Sequence, residues 1–152
     1  MELPDNIEEK AYWLCRRAVA ANDNELGNQA LDLYRTILSV NPCWPQAYLH
    51  SADIHSFFRR AEQAKSILQE GVKQVSKNEF GPLPLLEELY LKLAEAHMSE
   101  FEYEEALRQY EQLLKEFPNS RRGQEGFKRA DYKKRELEHI LKLANPTFPL
   151  LP

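Results

Sequence analysis

Small residues recur along this chain at a fixed interval. Ala30 and Ala64 stand 34 residues apart, and Ala30 and Ala106 stand 76 apart. Pro42 and Pro118 are also separated by 76. Two steps of 34 leave eight residues over, the length of the Gly- and Pro-containing stretch from Glu79 to Leu86. A chain with such a period must build one small supersecondary unit several times and stack the copies.

The unit is helical. The chain holds 22 Leu, 14 Ala and 19 Glu, but only 4 Val, 5 Ile and 2 Thr. The first set favours helix and the second favours strand. Apolar residues follow helical spacing between clear breaks. Asp5 is placed to cap a first helix, with Glu8 completing a capping box and Ile7, Ala11, Leu14 and Ala18 on one face. Asn22-Asp23-Asn24 breaks it. A second helix carries Leu26, Ala30, Leu33, Tyr34 and Ile37 and stops before Asn41-Pro42. Pro45 suits the first turn of a third, which runs through Tyr48, Ala52 and His55. A fourth carries Ala61, Ala64, Ile67, Leu68 and Val72. Beyond Gly81-Pro82-Leu83-Pro84, a fifth carries Leu86, Leu89, Tyr90, Leu93, Ala94 and His97. A sixth carries Ala106, Leu107, Tyr110, Leu113 and Leu114 and ends at Phe117-Pro118-Asn119. The seventh starts near Ser120 or Arg121 and ends at Asn145-Pro146.

Three helix pairs and one further helix, in a 34-residue frame, resemble a tetratricopeptide repeat (TPR) array. The matching residues of the first unit are Leu14, Ala18, Ala30, Tyr34 and Pro42. Those of the second are Tyr48, Ala52, Ala64, Leu68 and Gly71. Those of the third are Tyr90, Leu93, Ala94, Ala106, Tyr110, Leu113 and Pro118, with Tyr-Glu-Glu-Ala-Leu at Tyr103 to Leu107. Ala18, Ala52 and Ala94 fall where the helices of a unit approach most closely, and Ala30, Ala64 and Ala106 where the second helix crosses. The resemblance implies an all-α fold, a right-handed superhelical solenoid of about seven antiparallel helices. It divides one domain into repeats at 11–44, 45–78 and 87–120, an insertion at 79–86, a capping helix at 121–144 and an apolar Pro-rich tail at 145–152.

It also implies a concave groove, lined by the first helix of each pair, that grips a peptide or helix of another protein. Projected onto this chain, the groove should present Tyr12, Cys15, Arg16 and Val19, then Gln46, Leu49, His50, Asp53 and Phe57, then Glu88, Leu91, Lys92, Glu95 and Met98. One subclass of the family clamps the terminal carboxylate of heat-shock chaperones with two Asn and three basic residues. The matching positions here are Cys15, Val19, His50, Glu88 and Lys92. Only Lys92 is basic at neutral pH, and Glu88 repels a carboxylate, so the clamp is not expected. Apolar residues rimmed by mixed charge suit an amphipathic helix or an extended apolar segment.

Chemistry of other kinds finds little footing. His50 and His55 lie about 140° apart around a helix and cannot chelate one metal from one face. His55 and His97 occupy equivalent points of two units, where packing residues with satisfied ring N–H groups are expected. Nothing in the sequence sets a base beside Cys15 or Cys43. There is no Gly-rich phosphate loop. Pairs such as Glu87-Glu88 and Glu104-Glu105 diverge by about 100° and make no catalytic pair. The expectation is a non-enzymatic adaptor or scaffold without cofactor or metal. Self-association is one alternative, and charge-driven binding of nucleic acid or membrane through the basic seventh helix is another.

Charge is unevenly spread. Residues 1–120 hold 12 Lys and Arg against 20 Asp and Glu, whereas residues 121–152 hold 8 against 4. Arg121, Lys128, Arg135 and Lys142 make a basic stripe on the seventh helix. Phe127, Ala130, Leu137 and Leu141 lie opposite it and are expected to face the array. The stripe suits either a solvated cap over an acidic body or contact with nucleic acid, anionic lipid or an acidic protein; the solvated cap is the expected reading, and the net charge of −4 argues against nucleic acid in bulk. The tail carries Phe148, Leu150 and Leu151 and is expected to pack within the chain or against another. Two cysteines make no disulfide framework, no segment approaches the roughly 18 apolar residues of a spanning helix, and the start lacks a signal-peptide pattern, so the expected location is cytoplasmic.

Overall fold

The structure, a computed structural model, describes residues 7–77 and 84–144. It contains seven helices in chain order: α1 (Ile7–Ala21), α2 (Asn24–Val40), α3 (Pro45–Phe57), α4 (Ala61–Val75), α5 (Pro84–Ser99), α6 (Tyr103–Glu116) and α7 (Arg121–Ala144). Asp5, expected as the first cap, lies outside the described residues, as does the tail from residue 145. Of the expected insertion, residues 84–86 form the first turn of α5, and the remainder lies outside the description.

Local chemistry explains the boundaries. The Asp23 carboxylate accepts hydrogen bonds from the backbone N–H groups of Glu25 (3.0 Å) and Leu26 (3.2 Å), which caps α2. Pro45 opens α3, where its missing N–H costs nothing. Each first helix of a pair is reversed through one residue of positive φ: Asn22 (51°), Arg59 (60°) and Phe101 (62°). Asn tolerates this conformation, whereas Arg and Phe hold it only under strain.

Helices pack in sequential pairs, α1 on α2, α3 on α4 and α5 on α6, and α7 lies on α6. The alanines explain how close they come. Ala18, Ala30, Ala52, Ala64, Ala94 and Ala106 are all at most 2% exposed. Ala130 of α7 is equally buried, so α7 joins the stack as the first helix of another pair. α3 feeds two adjoining parts of the core. Ala47 and Ile54 pack with α1 and α2, while Tyr48, Leu49 and Ala52 pack with the later helices.

The odd-numbered helices also touch one another across the pairs, α1 to α3, α3 to α5 and α5 to α7. Among the described residues the second helices make no comparable contacts with each other. Odd helices closer together than even ones mean a stack that curves with α1, α3, α5 and α7 on the inside.

One expectation for α7 is corrected. Phe127 and Ala130 do face the array, but Leu137 and Leu141 are 40% and 58% exposed. The reason is length. α7 has 24 residues against 14 in α6, so its second half runs past the start of its neighbour.

Buried Gly123 and Gly126 fix how α7 docks. A Cβ on Gly126 would overlap the Tyr110 ring, and one on Gly123 would press on Leu113 and Leu114. Gly126→Ala should therefore destabilise the protein by about 1–3 kcal/mol, as overpacking does. Thermal melting checks this, and Tyr110→Leu in the same chain should recover part of the loss by vacating the space.

Candidate functional site

The residues expected to line the groove differ in exposure. Tyr12, Val19 and Phe57 are 43%, 39% and 40% exposed, and Met98 is half-buried. Arg16, Asp53 and Glu95 are exposed or partly so, as are His50, Glu88 and Lys92. Three expected groove residues are not on the surface. Leu49 is 9% exposed and Leu91 2%, and both lie in the core. They sit where adjacent odd helices meet, and that contact closes over them. Cys15 is likewise buried, and Gln46 is exposed.

Polar contacts bridge each seam between odd helices. The Tyr12 ring of α1 lies 5.0 Å from the His50 ring of α3, which also stacks on Tyr34 at 5.8 Å. Lys92 of α5 pairs with Asp53 of α3 at 3.1 Å. Arg122 of α7 pairs with Glu88 of α5. The sequence reading missed Arg122, although the frame points to it: it lies 34 residues after Glu88.

Electrostatics follow from burial. His50 is shifted down by burial, an effect Asp53 opposes and Lys92 reinforces. Burial, reinforced by Asp53, pushes the Cys15 thiol up to about 11, so it stays protonated and weakly nucleophilic at neutral pH. The Tyr34 hydroxyl is raised by burial, and its oxygen has no hydrogen-bond partner.

A second polar cluster lies off the inner face. Lys65 of α4 has a side chain only 6% exposed, held by Glu102 at 2.6 Å and Glu62 at 2.7 Å. His97 meets the same Glu102 through Nδ1 at 3.2 Å. His97 and His55 are both buried packing residues, but His97 Nε2 has no partner, against the expectation of a satisfied ring. His55 Nδ1 lies 3.4 Å from the Arg60 guanidinium, and His55 is shifted down chiefly by burial. The hydrophobic period gave no sign of Lys65, which falls among the buried positions of α4.

The basic stripe is exposed along its length at Arg121, Arg135 and Lys142, and at Lys128. Arg135 pairs with Asp131 of its own helix at 3.0 Å. Among the described residues no three His, Cys, Asp or Glu side chains converge as metal ligands do. No described helix is long and apolar enough to cross a membrane.

Comparison with known proteins agrees with this geometry. A family model described as Tetratricopeptide repeat matches residues 87–130. The match covers less than a third of the chain and shows a tetratricopeptide repeat there. The fold of the chain is shared with a thermophilic TPR protein of Thermus thermophilus, at a TM-score of 0.55 and 21% identity. That match covers 72% of this chain and 52% of the other, so the chain spans about half the length of the Thermus protein. The TPR domain of Arabidopsis OM64 matches at a TM-score of 0.56 and 19% identity, over 84% of this chain and 98% of that one. No curated protein matches the chain by sequence. The family model covers α5, α6 and the first part of α7, where the repeat residues are also most regular.

The Lys65 cluster makes a pH prediction. Glu102 is held below the ordinary carboxylate value by Lys65 first, against desolvation, and then by His97. A depressed carboxylate contributes stability that is present above its unfolded value and is lost as pH falls through its folded value. The loss therefore belongs below the ordinary 4.5. Glu102→Gln should cost about 1 kcal/mol at neutral pH, a figure kept small because Glu102 is 40% exposed. It should also flatten the acid limb of a melting-temperature profile.

Proposed function

We propose that this protein is a non-enzymatic adaptor that holds a peptide or amphipathic helix of a partner protein on its inner face and so assists complex assembly. One observation carries the reading. Tyr12, Val19 and Phe57, at expected groove positions on α1 and α3, keep about 40% of their surface exposed. TPR arrays generally serve protein–protein interaction, and an apolar strip flanked by charge suits an amphipathic helix.

The chaperone-tail clamp has no support in this arrangement. Lys92, the one lysine or arginine at a clamp position, is already paired with Asp53, and Glu88 occupies another of those positions. A free carboxylate would have to displace Asp53 and tolerate Glu88.

Val19→Glu together with Phe57→Glu tests the groove outside the buried core, since the two residues are 39% and 40% exposed. The folded double variant should lose the proteins that the wild type captures from its host. On binding, amide exchange should slow on the odd helices and not on the even ones. Unchanged capture by a folded variant would count against the inner face.

A second reading rests on α7. Leu137, Ile140, Leu141 and Leu143 on its last turns are 40–66% exposed, and such a strip favours self-association. Sedimentation over a concentration series should show a larger species that Leu137→Glu with Leu141→Glu removes. A wild type that stays monomeric throughout would end this reading.

A further inference from the structure

The overhanging half of α7 bounds a cleft that the array does not fill. Phe101 in the α5–α6 turn and Tyr103 at the start of α6 line one side, and Leu137 and Leu141 of α7 line the other, around about 360 Å³. Most charges at the rim are neutralised within the chain: Glu104 pairs with Lys134, Glu105 with Arg108, and Glu102 with Lys65. Glu138, also at the rim, is exposed. Phe101 is 73% exposed and holds a positive φ of 62°. Asn22 and Arg59 make the same reversal in the earlier pairs, so the turn does not itself require an aromatic. A bulky ring in solvent, at a backbone angle such residues avoid, is unfavourable unless something covers it.

We propose that residues 146–151 fold back along α7 and lay Phe148 and the leucines beyond it into this cleft. Such a fold-back does not rest on the adaptor reading, and it is a rival to self-association for Leu137 and Leu141. Residues 145–152 lie outside the described ones, and their chemistry and point of attachment carry the proposal. The segment has no charged side chain and brings Phe148, Leu150 and Leu151 to a cleft whose walls are apolar. Asn145-Pro146 favours a turn. Pro146, Pro149 and Pro152 disfavour helix at themselves and at the residue before each. Leu137, Leu141 and Ala144 share one side of α7, at i, i+4 and i+7, so the helix ends on the side of the cleft. Leu141 lies about 5 Å and Leu137 about 10 Å back from Ala144, at 1.5 Å per residue. An extended chain advances about 3.3 Å per residue, so after a turn at Pro146 Phe148 comes level with Leu141 and Leu150 with Leu137. Attachment also decides between occupants. A segment tethered this near meets the cleft at an effective concentration on the order of millimolar, which a second copy matches only at that protein concentration.

Thiol labelling with DTNB tests this. Leu141→Cys reports on the cleft, and Leu143→Cys, about 160° away around the helix, serves as reference. The two positions are 58% and 66% exposed, so neither substitution empties the core. Each is made with Cys43→Ser in the 152-residue chain and in the same chain lacking residues 146–152. Cys15 is buried and reacts slowly. Circular dichroism confirms that every variant is folded. The Leu141→Cys thiol should label about tenfold more slowly when the segment is present, as expected for a site closed about nine-tenths of the time. The Leu143→Cys thiol should label at the same rate in both chains. Phe148→Ser should recover most of the fast rate, and the slowing should not depend on protein concentration. Equal Leu141→Cys rates with and without the segment overturn the proposal. Equal slowing at Leu143→Cys also overturns it, because the segment then shields the helix end without entering the cleft. Slowing that grows with protein concentration overturns it too, since the cleft is then filled by another copy. Sedimentation of the same samples reads self-association separately. A monomer with slowed Leu141→Cys labelling supports the fold-back and ends self-association through Leu137 and Leu141.

Discussion

The fold depends on close approach between helices at alanine. A helix pair joined by a tight turn cannot bury its apolar face alone and needs the next pair to cover it. That covering works only if the backbones come near enough for Leu and Tyr side chains to interlock. Ala18, Ala52 and Ala94 permit it within pairs, and Ala30, Ala64 and Ala106 at the crossings. Where the approach is closest even alanine is too large. Gly126 occupies the point held in the earlier odd helices by Leu14, Tyr48 or Tyr90, counted back four residues from each helix's buried alanine. The Tyr110 ring fills the space its side chain would take. A single seam thus trades side-chain volume from α7 to α6.

Curvature follows from the same contacts. Odd helices that touch each other while even helices stand apart define an inside, and the inside is where polar bridges form. Tyr12 to His50, Asp53 to Lys92 and Glu88 to Arg122 each join neighbouring units. Exposed pairs of this sort contribute little to stability singly. Their larger effect is to neutralise charge between neighbouring helices.

Most of the fold was legible because the constraint is local and repeated. The alanine spacing, the Pro and Asn breaks and the 34-residue frame each follow from the needs of a helix or a turn, and those needs are written in consecutive residues. The groove was less legible. Leu49 and Leu91 share the frame position of Cys15, and all three proved buried. Nothing in a helix's own period says whether a residue on its edge meets solvent or the next helix. That depends on the spacing between units. Lys65 escaped notice for a related reason: its partners Glu62 and Glu102 lie 3 residues before it and 37 after it, and only the second, long-range contact explains the burial. Leu137 and Leu141 were assigned to the array because their period is right, but α6 is too short to reach them.

These differences share a cause that bears on function. Repeats determine what each unit does to its neighbour, and a mismatch appears wherever the neighbour is absent or altered. Arg16 is unpaired because α1 has no earlier odd helix among the described residues to supply a carboxylate. Glu95 is unpaired because the α7 cation nearest in kind, Arg122, is held by Glu88. Leu137 and Leu141 are bare because no second helix of another pair follows α7 among those residues. In a stack of similar units, what remains for a partner is what the units fail to satisfy in one another. Among the described residues these include the exposed apolar groups Tyr12, Val19 and Phe57 and those on the last turns of α7.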